Sequence, residues 1–318
     1  MMSRNIPNID PNFEPAYLKY HGSGNLTKRA DALWQRMESC DLCPRLCNAN
    51  RLMGQRGNCG ATDLLEIASF QAHFGEERPL VGTHGSGTIF FTHCSLRCVF
   101  CQNWDISHCG QGNPTSIEGL SEIMLYLQEK GCHNINLVTP DHFLPHILKA
   151  LDLAVQEGLH LPIVYNTGGW VRKDILKTLD GIVDIYMPDF KYWSPEEANR
   201  YSPGAKSYPE IARQALVEMN RQVGVAKPAR DGLLYRGLLI RHLVMPARIG
   251  GTREFLHWIG QNLPKDTYLN LMSQYHPAYE AMNYPRINRR ISREEYLEAL
   301  QWSKSEGLSQ VETQSIPF

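Results

Sequence analysis

The sequence predicts an α/β protein built around a parallel sheet that either closes as a partial barrel or lies open. From about residue 88, six short apolar and often β-branched runs alternate with stretches of helical periodicity. Strands that alternate with helices pair in parallel through right-handed crossovers. Polar residues follow most of these runs, at the carboxyl ends of the strands, where ligands bind to such sheets. We therefore expect an active site at that end of the sheet.

The strands and helices are predicted from their periodicity and their bounding residues. The six strands are expected at Thr88–His93, Ile135–Thr139, Pro162–Thr167, Ile182–Met187, Gly237–Met245 and Tyr268–Met272. After the first strand, a helix begins at a capping box formed by Thr115 and Glu118 and ends at Gly131. A second helix has apolar residues at helical spacing along 144–155. Three more helical segments follow at Ile211–Val223, Arg253–Leu263 and Arg293–Glu306.

The remaining bulk features concern domain organisation and partners. Residues 1–85 have weaker periodicity, which predicts an N-terminal extension packed on a core of residues 86–318. The net charge of −1 provides no general attraction to nucleic acid or to an anionic membrane. No run approaches the ~18 apolar residues that span a bilayer, and residues 1–7 lack the apolar stretch of a signal peptide. We expect a soluble cytoplasmic protein without nucleic-acid or membrane partners.

Cysteine spacing is the strongest chemical signal in the chain. Thiols stay reduced in the cytoplasm, so clustered cysteines there indicate metal ligands before disulfides. Seven of the nine cysteines fall into two groups, and Cys109 and Cys132 lie outside both. The groups are Cys40, Cys43, Cys47 and Cys59, and Cys94, Cys98 and Cys101.

The second group lies within eight residues, on a loop that leaves the first predicted strand. Four cysteines would close a [4Fe–4S] cluster, whereas three leave one iron open. The open iron can take the amino and carboxylate groups of a ligand such as S-adenosylmethionine. The alternatives are a zinc site, with His93 or Cys109 as fourth ligand, and buried free thiols. Motif and context together favour the cluster on Cys94, Cys98 and Cys101.

The C-x3-C-x2-C spacing, with Phe100 before the third cysteine, resembles the signature of the radical SAM superfamily. Over nearly its whole length, the chain also resembles the pyruvate formate-lyase activating enzymes and, more narrowly, their PflX-type relatives. The stretches that carry the narrower match are residues 40–47, 74–77, 85–88, 132–136, 184–192 and 241–244.

The resemblance implies a partial (β/α)6 barrel and two cofactors, a [4Fe–4S] cluster and S-adenosylmethionine. It implies reductive cleavage of S-adenosylmethionine to a 5′-deoxyadenosyl radical, which abstracts hydrogen from a substrate. The electron would come from a reductant such as flavodoxin or ferredoxin. In the narrowest version the substrate is a protein, a glycyl-radical enzyme that this chain would activate.

The resemblance also assigns roles to residues at the strand ends. Asn166 and Thr167 match a pair near the methionine end of the cofactor and a monovalent cation, although Asn166 replaces an aspartate. Lys191 would contact the cofactor carboxylate, and Asp189 would serve the cation or a cofactor nitrogen. Arg241 matches a cofactor-binding arginine. For Lys191 and Asp189, the simpler alternative is an ion pair at a strand end.

Two further assignments depart more from the family pattern. Asp141 lies where the family has a Gly-Gly-Glu stretch that binds the cofactor amino group. It could replace that acceptor or could cap a helix. His276 resembles a histidine that approaches the adenine, and could equally be an ordinary hydrogen-bonded residue.

The four cysteines of the extension form a Cys-x2-Cys-x3-Cys-x11-Cys pattern. Four thiolates suit zinc or a second iron–sulfur cluster about equally, and uncoordinated thiols are the third alternative. Cys109 and Cys132 are expected to fill loop or core positions, with a hydrogen-donating cysteine near the radical as the alternative.

Three functions remain open at the level of sequence. The first is an activase, which needs a wide barrel mouth for a glycine loop. The second is radical modification of a peptide or small molecule, which a pocket sealed by residues 1–85 would favour. The third is a non-catalytic iron–sulfur carrier or redox module, against which the polar strand-end residues count.

Overall fold

The computed structural model describes residue 10 and residues 13–315 of the chain, so the predicted absence of a signal peptide in residues 1–7 lies outside the described residues. The strands are β1 (Glu66–His73), β2 (Ser86–Phe91), β3 (Asn113–Pro114), β4 (Ile135–Val138), β5 (Ile163–Thr167), β6 (Ile185–Pro188), β7 (Gly237–Leu243), β8 (Tyr268–Met272) and β9 (Val311–Thr313). The α-helices are α1 (Asn25–Gln35), α2 (Arg78–Val81), α3 (Trp104–Ser107), α4 (Ile117–Glu129), α5 (Leu144–Gln156), α6 (Lys173–Thr178), α7 (Pro195–Tyr201), α8 (Tyr208–Val223), α9 (Thr252–Asn262) and α10 (Arg293–Ser305).

The strands form a single curved sheet in the order β3-β1-β2-β4-β5-β6-β7-β8-β9. The six predicted strands correspond to β2 and β4–β8, and they pair in parallel as expected. Helices α4, α5, α6, α8 and α9 supply the crossovers between them. The end strands β3 and β9 are not neighbours, so the sheet has an open seam. Side chains from β2, β4, β5, β7 and β8 line one common cavity, so the sheet curves into a partial barrel. The α/β fold with a mostly parallel sheet is confirmed.

The N-terminal part contributes more to the sheet than its periodicity indicates. Strand β1 pairs antiparallel with β2, and β3 in turn pairs antiparallel with β1. The register shifts between Ile67 and Ser69, and seven of the eight β1 residues are only partly buried or exposed. This irregular exposure explains why β1 lacks a period-two signal. The boundary at residue 85 stays a prediction.

One helix start differs from the prediction. The N-cap of α4 is Ser116, whose hydroxyl accepts a hydrogen bond from the amide of Gly119. Thr115 instead donates its hydroxyl to the carbonyl of Asn113, in the turn that leaves β3. The expected capping box of Thr115 with Glu118 is therefore wrong by one residue, because the adjacent serine competes for the same amides.

The two faces of the sheet have different coverings. Alternate residues such as Tyr165 and Ile240 face the helices in the main apolar core. The other face lines the barrel interior, whose lower half is filled by a second apolar cluster. Leu80, on the segment between β1 and β2, enters this cluster and closes the barrel from below. The space above it, at the carboxyl ends of the strands, is left for a ligand.

Across the described residues, every helix is too short or too polar to cross a membrane.

Candidate active site

A cavity of about 400 Å³ lies at the carboxyl ends of the parallel strands. Its walls come from β2, β4–β8, the loop after β2 and the segment between β1 and β2. The predicted site residues that line it are Cys94, Cys98, Cys101, Asn166, Thr167, Asp189, Lys191 and Arg241. Four stretches separated by up to 147 positions of sequence thus meet in one space, as the strand-end argument predicts.

Two of the three thiols have a hydroxyl group from a helical segment beside them. Ser202 donates its hydroxyl to the sulfur of Cys98 at 3.0 Å. The Ser107 hydroxyl lies 3.1 Å from the sulfur of Cys101. Burial raises the pKa of the Cys94 thiol to about 12, so iron binding there has to release a proton.

These residues fit a cluster with one open iron. A cubane takes its three cysteines on separate irons, so its ligands surround a volume larger than one ion. Among the residues that the structure describes, no three His, Cys, Asp or Glu side chains are gathered tightly enough to hold a single metal ion. The donor set, three thiols that line one cavity beside charged residues, fits a [4Fe–4S] cluster with a neighbouring ligand.

The opposite wall carries a network of partly buried charges. Asp189 accepts hydrogen bonds from Lys191 Nζ and from Arg241 Nε, both at 2.7 Å. Arg241 also donates to Asn166 Oδ1 at 2.6 Å and lies 3.3 Å from Glu76 Oε2. Burial opposes ionisation of Asp189, but the two cations outweigh it and hold its pKa below the usual value. The ion pair anticipated for Asp189 and Lys191 is present, inside the cavity wall.

Asp141 does not line this cavity. Its carboxylate accepts hydrogen bonds from the hydroxyls of Tyr165 at 2.6 Å and Thr167 at 2.9 Å. Burial raises the pKa of Asp141 to about 6, although both hydrogen bonds oppose the shift. Asp141 is the first residue of a short 3-10 helix whose N-cap is Pro140, so the anticipated helix cap is absent at this end. Asp141 orients Thr167, which lines the cavity, from the side of Thr167 that faces away from the cavity. A direct contact between Asp141 and the cofactor stays a prediction.

His276 lies at the rim. Its Nδ1 is 3.2 Å from Gln102 Nε2, and Gln102 belongs to the cavity wall. Gln274, two residues before His276, also lines the cavity. This position is compatible with the adenine role, which stays a prediction.

The four cysteines of the extension come together beside the three-cysteine loop. A Cβ added to Gly57 would lie 3.4 Å from both Cys47 Sγ and Cys59 Sγ, so these two sulfurs flank that glycine. Arg51 Nη1 lies 3.9 Å from Cys40 Sγ. Cys40, Cys43 and Cys59 are buried. Of the unclustered cysteines, Cys132 is buried and Cys109 is exposed, as their expected core and loop positions require.

Four residues of the site were not predicted from the sequence: Glu76, Ser107, Ser202 and Tyr208. Tyr208, at the start of α8, accepts from the amide of Lys191 at 2.8 Å and faces the carbonyls of Gly168 and Asp189. Only Glu76 had a signal, since it belongs to the 74–77 stretch of the family resemblance. Single serines and tyrosines in helices carry none.

Known proteins include relatives of this chain. Residues 88–222 match the model of the Radical SAM superfamily. The chain is 32% identical over 308 residues to "Uncharacterized protein MJ0674" of Methanocaldococcus jannaschii, with 93% of this chain and 83% of that protein covered. It is 22% identical over 265 residues to "Uncharacterized protein MJ0808" of the same organism, with 77% and 73% covered.

Two solved structures are similar to the fold. A radical SAM methyltransferase from Sphaerobacter thermophilus aligns with 70% of this chain and 66% of its own, at a TM-score of 0.49 and 16% identity. Methylornithine synthase aligns with 70% of this chain and 69% of its own, at a TM-score of 0.44 and 14% identity. The matched residues 88–222 contain the three cysteines and the strands that carry Asn166 and Asp189 into the cavity. The chain belongs to the radical SAM superfamily, whose members hold a [4Fe–4S] cluster and use S-adenosylmethionine.

Proposed function

We propose that the chain is an S-adenosylmethionine-dependent radical enzyme that abstracts a hydrogen atom from its substrate. The observation that carries the proposal is the shared cavity. The thiols of Cys94, Cys98 and Cys101 form one wall, and the network of Asp189, Lys191 and Arg241 forms another. A protein that only carries electrons does not need the charged network of the second wall, which is suited to binding a ligand.

When bound, the cluster and S-adenosylmethionine supply a 5′-deoxyadenosyl radical by one-electron reduction and C–S cleavage, the hard chemistry that belongs to the cofactor. The chain's own residues hold and orient the reactants. Lys191 and Arg241 are cations suited to a carboxylate, and Asp189 and Glu76 are anions suited to an amino group. Tyr208 fixes the backbone of Lys191 and so the direction of its side chain.

The shape of the cavity bears on the substrate. His73, Gly75 and Glu76, which precede residue 86, close one side of it. The cavity of about 400 Å³ also has to hold the cluster and S-adenosylmethionine, so little of it is left for a substrate. This enclosure supports modification of a small molecule or a peptide. An activase acting on a glycine loop of a partner protein is the second candidate, supported by the family resemblance.

The proposal is tested by 5′-deoxyadenosine production. Anaerobically reconstituted protein is incubated with S-adenosylmethionine and dithionite, or with a reduced flavodoxin or ferredoxin as the proposed partner. Cys98→Ala should lose the product, since two thiols cannot hold the cluster. The matched control is Cys132→Ala, which removes a buried thiol outside both groups. Normal turnover by Cys98→Ala would refute the radical mechanism.

S-adenosylmethionine binding separates the enzyme from the carrier. Equilibrium dialysis of the cluster-loaded protein should show binding that Arg241→Met weakens at least tenfold. Binding that is absent from the wild type would favour the carrier. A glycyl-radical signal in a partner protein, recorded by electron paramagnetic resonance, would favour the activase over small-molecule modification.

We also propose that Cys40, Cys43, Cys47 and Cys59 hold a second iron–sulfur cluster or zinc. Zinc would require their sulfurs to approach one another, because the described side chains are not gathered tightly enough for a single ion. Cys47 Sγ and Cys59 Sγ flank Gly57, and Cys59 interacts electrostatically with Cys40 and Cys43, so the four thiols share one neighbourhood, which supports the proposal. Cys43→Ala should lower the zinc or iron content by the amount of one site, whereas the exposed Cys109→Ala should not. Equal metal content in the two variants would show that the four cysteines hold no metal.

A further inference from the structure

The three-cysteine loop is supported by contacts from outside itself. His93 and Arg97 adopt left-handed backbone conformations, with φ of 68° and 50°. Such conformations cost of order 1–3 kcal/mol for residues other than glycine and persist only where the surroundings impose them. The loop contains few backbone hydrogen bonds of its own. One of them joins the amide of Cys101 to the carbonyl of Cys98 at 3.1 Å. The carbonyls between Cys94 and Cys98 need partners elsewhere.

Arg45, from the four-cysteine segment, provides those partners. Its Nε donates to the carbonyl of Ser95 at 2.6 Å, and its Nη2 donates to the carbonyl of Leu96 at 3.1 Å. Ser95 and Leu96 are the residues that follow Cys94, so one guanidinium holds the backbone between two of the predicted iron ligands. The planar fork of arginine suits two adjacent acceptors, which a lysine cannot match.

The guanidinium is itself fixed in place. Its Nη1 donates to the carbonyl of Pro203 at 2.6 Å, and its Cζ lies over the ring of Trp170, 5.3 Å from the ring centre. Gly204, at φ of 83°, leaves the room for it, since an added Cβ there would lie 2.6 Å from Nη1. All three donor nitrogens of Arg45 are therefore engaged, two of them by the three-cysteine loop.

Two more contacts join the same segments. Arg97, within the three-cysteine loop, donates to the carbonyl of Cys59 at 3.3 Å. Gly60 packs on His93 so closely that an added Cβ would lie 2.8 Å from the ring Nδ1. The contacts run in both directions, from Arg45 to the loop and from Arg97 back to the four-cysteine segment.

We propose that the four-cysteine segment is the support on which the three-cysteine loop takes its ligand geometry, with Arg45 as the positioning residue. The inference deepens the proposed function, since it concerns the loop that holds the cluster. It assigns to Cys43-Pro44-Arg45-x-Cys47 a role that does not depend on electron relay. Disorder in this segment lowers the affinity of the loop for its cluster even when Cys94, Cys98 and Cys101 are intact.

The test compares Arg45→Met with Arg253→Met, an exposed arginine of α9. The iron held by the three-cysteine loop is obtained by subtraction. The iron content of a triple variant, Cys94→Ser, Cys98→Ser and Cys101→Ser, is subtracted from that of the protein under test. In Arg45→Met, a chelator should remove this iron at least fivefold faster than from the wild type. The electron paramagnetic resonance spectrum of the reduced cluster should also change, which loss of global stability would not produce. Arg45→Lys should not restore it.

Arg97→Met is the second variant, for the case that Arg45→Met does not fold. It removes the hydrogen bond from the three-cysteine loop to the carbonyl of Cys59 in the four-cysteine segment. Faster iron loss in Arg97→Met supports the proposal. Wild-type chelation rates and spectra in both arginine variants overturn it, whatever their activity. A wild type that binds no iron on the three-cysteine loop would instead refute the proposed function, so the two failures are distinguishable.

Discussion

The hydroxyl of Ser202 donates a hydrogen bond to the sulfur of Cys98 at 3.0 Å, across 104 positions of sequence. Hydrogen bonds to ligand sulfurs stabilise the more negative, reduced state of an iron–sulfur cluster and so raise its potential. Ser202→Ala should therefore shift the midpoint potential to more negative values. A hydrogen bond worth about 1 kcal/mol corresponds to roughly 40 mV for one electron.

Redox titration followed by electron paramagnetic resonance measures this shift. Ser305→Ala is the control, because that serine is exposed and its hydroxyl bonds only to the carbonyl of Trp302. An unchanged or more positive potential in Ser202→Ala would contradict the prediction.

Asp189 stabilises two partly buried cations at once. Asp189→Asn keeps an acceptor oxygen but removes the charge, which leaves Lys191 and Arg241 without their shared counterion. Breaking a fully buried ion pair from one side typically costs 3–5 kcal/mol. Because these side chains are 15–19% exposed, we expect a smaller loss in the free energy of unfolding, of about 2 kcal/mol. Urea denaturation of the protein without S-adenosylmethionine measures it.

Asp266→Asn is the matched control for that substitution. Asp266 pairs with Lys227 at 3.0 Å on the surface, where an ion pair contributes about 0–1 kcal/mol. Equal losses in the two variants would show that the Asp189 network contributes no more than a surface pair.

His242 predicts a pH dependence of stability. It is fully buried between the carbonyl of Phe190 and the hydroxyl of Thr252, at 2.7 and 2.8 Å. Burial lowers its pKa from 6.5 to about 4. Between these values the unfolded chain binds more protons than the folded one, so this contribution to stability is lost as the pH falls. The full effect is on the order of 3 kcal/mol.

The measurement is the free energy of unfolding at several pH values from 7 to 4. Over this range, His242→Gln should lose less stability on acidification than the wild type. His21→Gln, which replaces an exposed histidine, should follow the wild-type curve. Parallel curves for His242→Gln and the wild type would contradict the prediction.

Elements with a regular apolar period were predictable from the sequence, and partly exposed ones were not. Strand β8 matches its predicted bounds because all five of its residues are buried and β-compatible. Strand β1 escaped prediction because exposed side chains such as Phe70 interrupt its pattern, and its strand conformation depends on pairing with β2. At the site, Asp141 illustrates a second limit. Its position after β4 was clear, but whether its carboxylate faces the cavity or Tyr165 depends on packing.

By itself, the sequence determined the alternation of strands and helices, the spacing of Cys94, Cys98 and Cys101, and the polar residues that follow most of the strands. These features follow from neighbouring residues, whose conformational preferences and spacing act over a few positions. Only the tertiary structure decided that Glu76 meets Arg241, that Ser202 reaches Cys98 and that Arg45 holds Ser95 and Leu96. Those contacts join distant segments, and they exist only once the curved sheet and its helices fix the directions of the side chains.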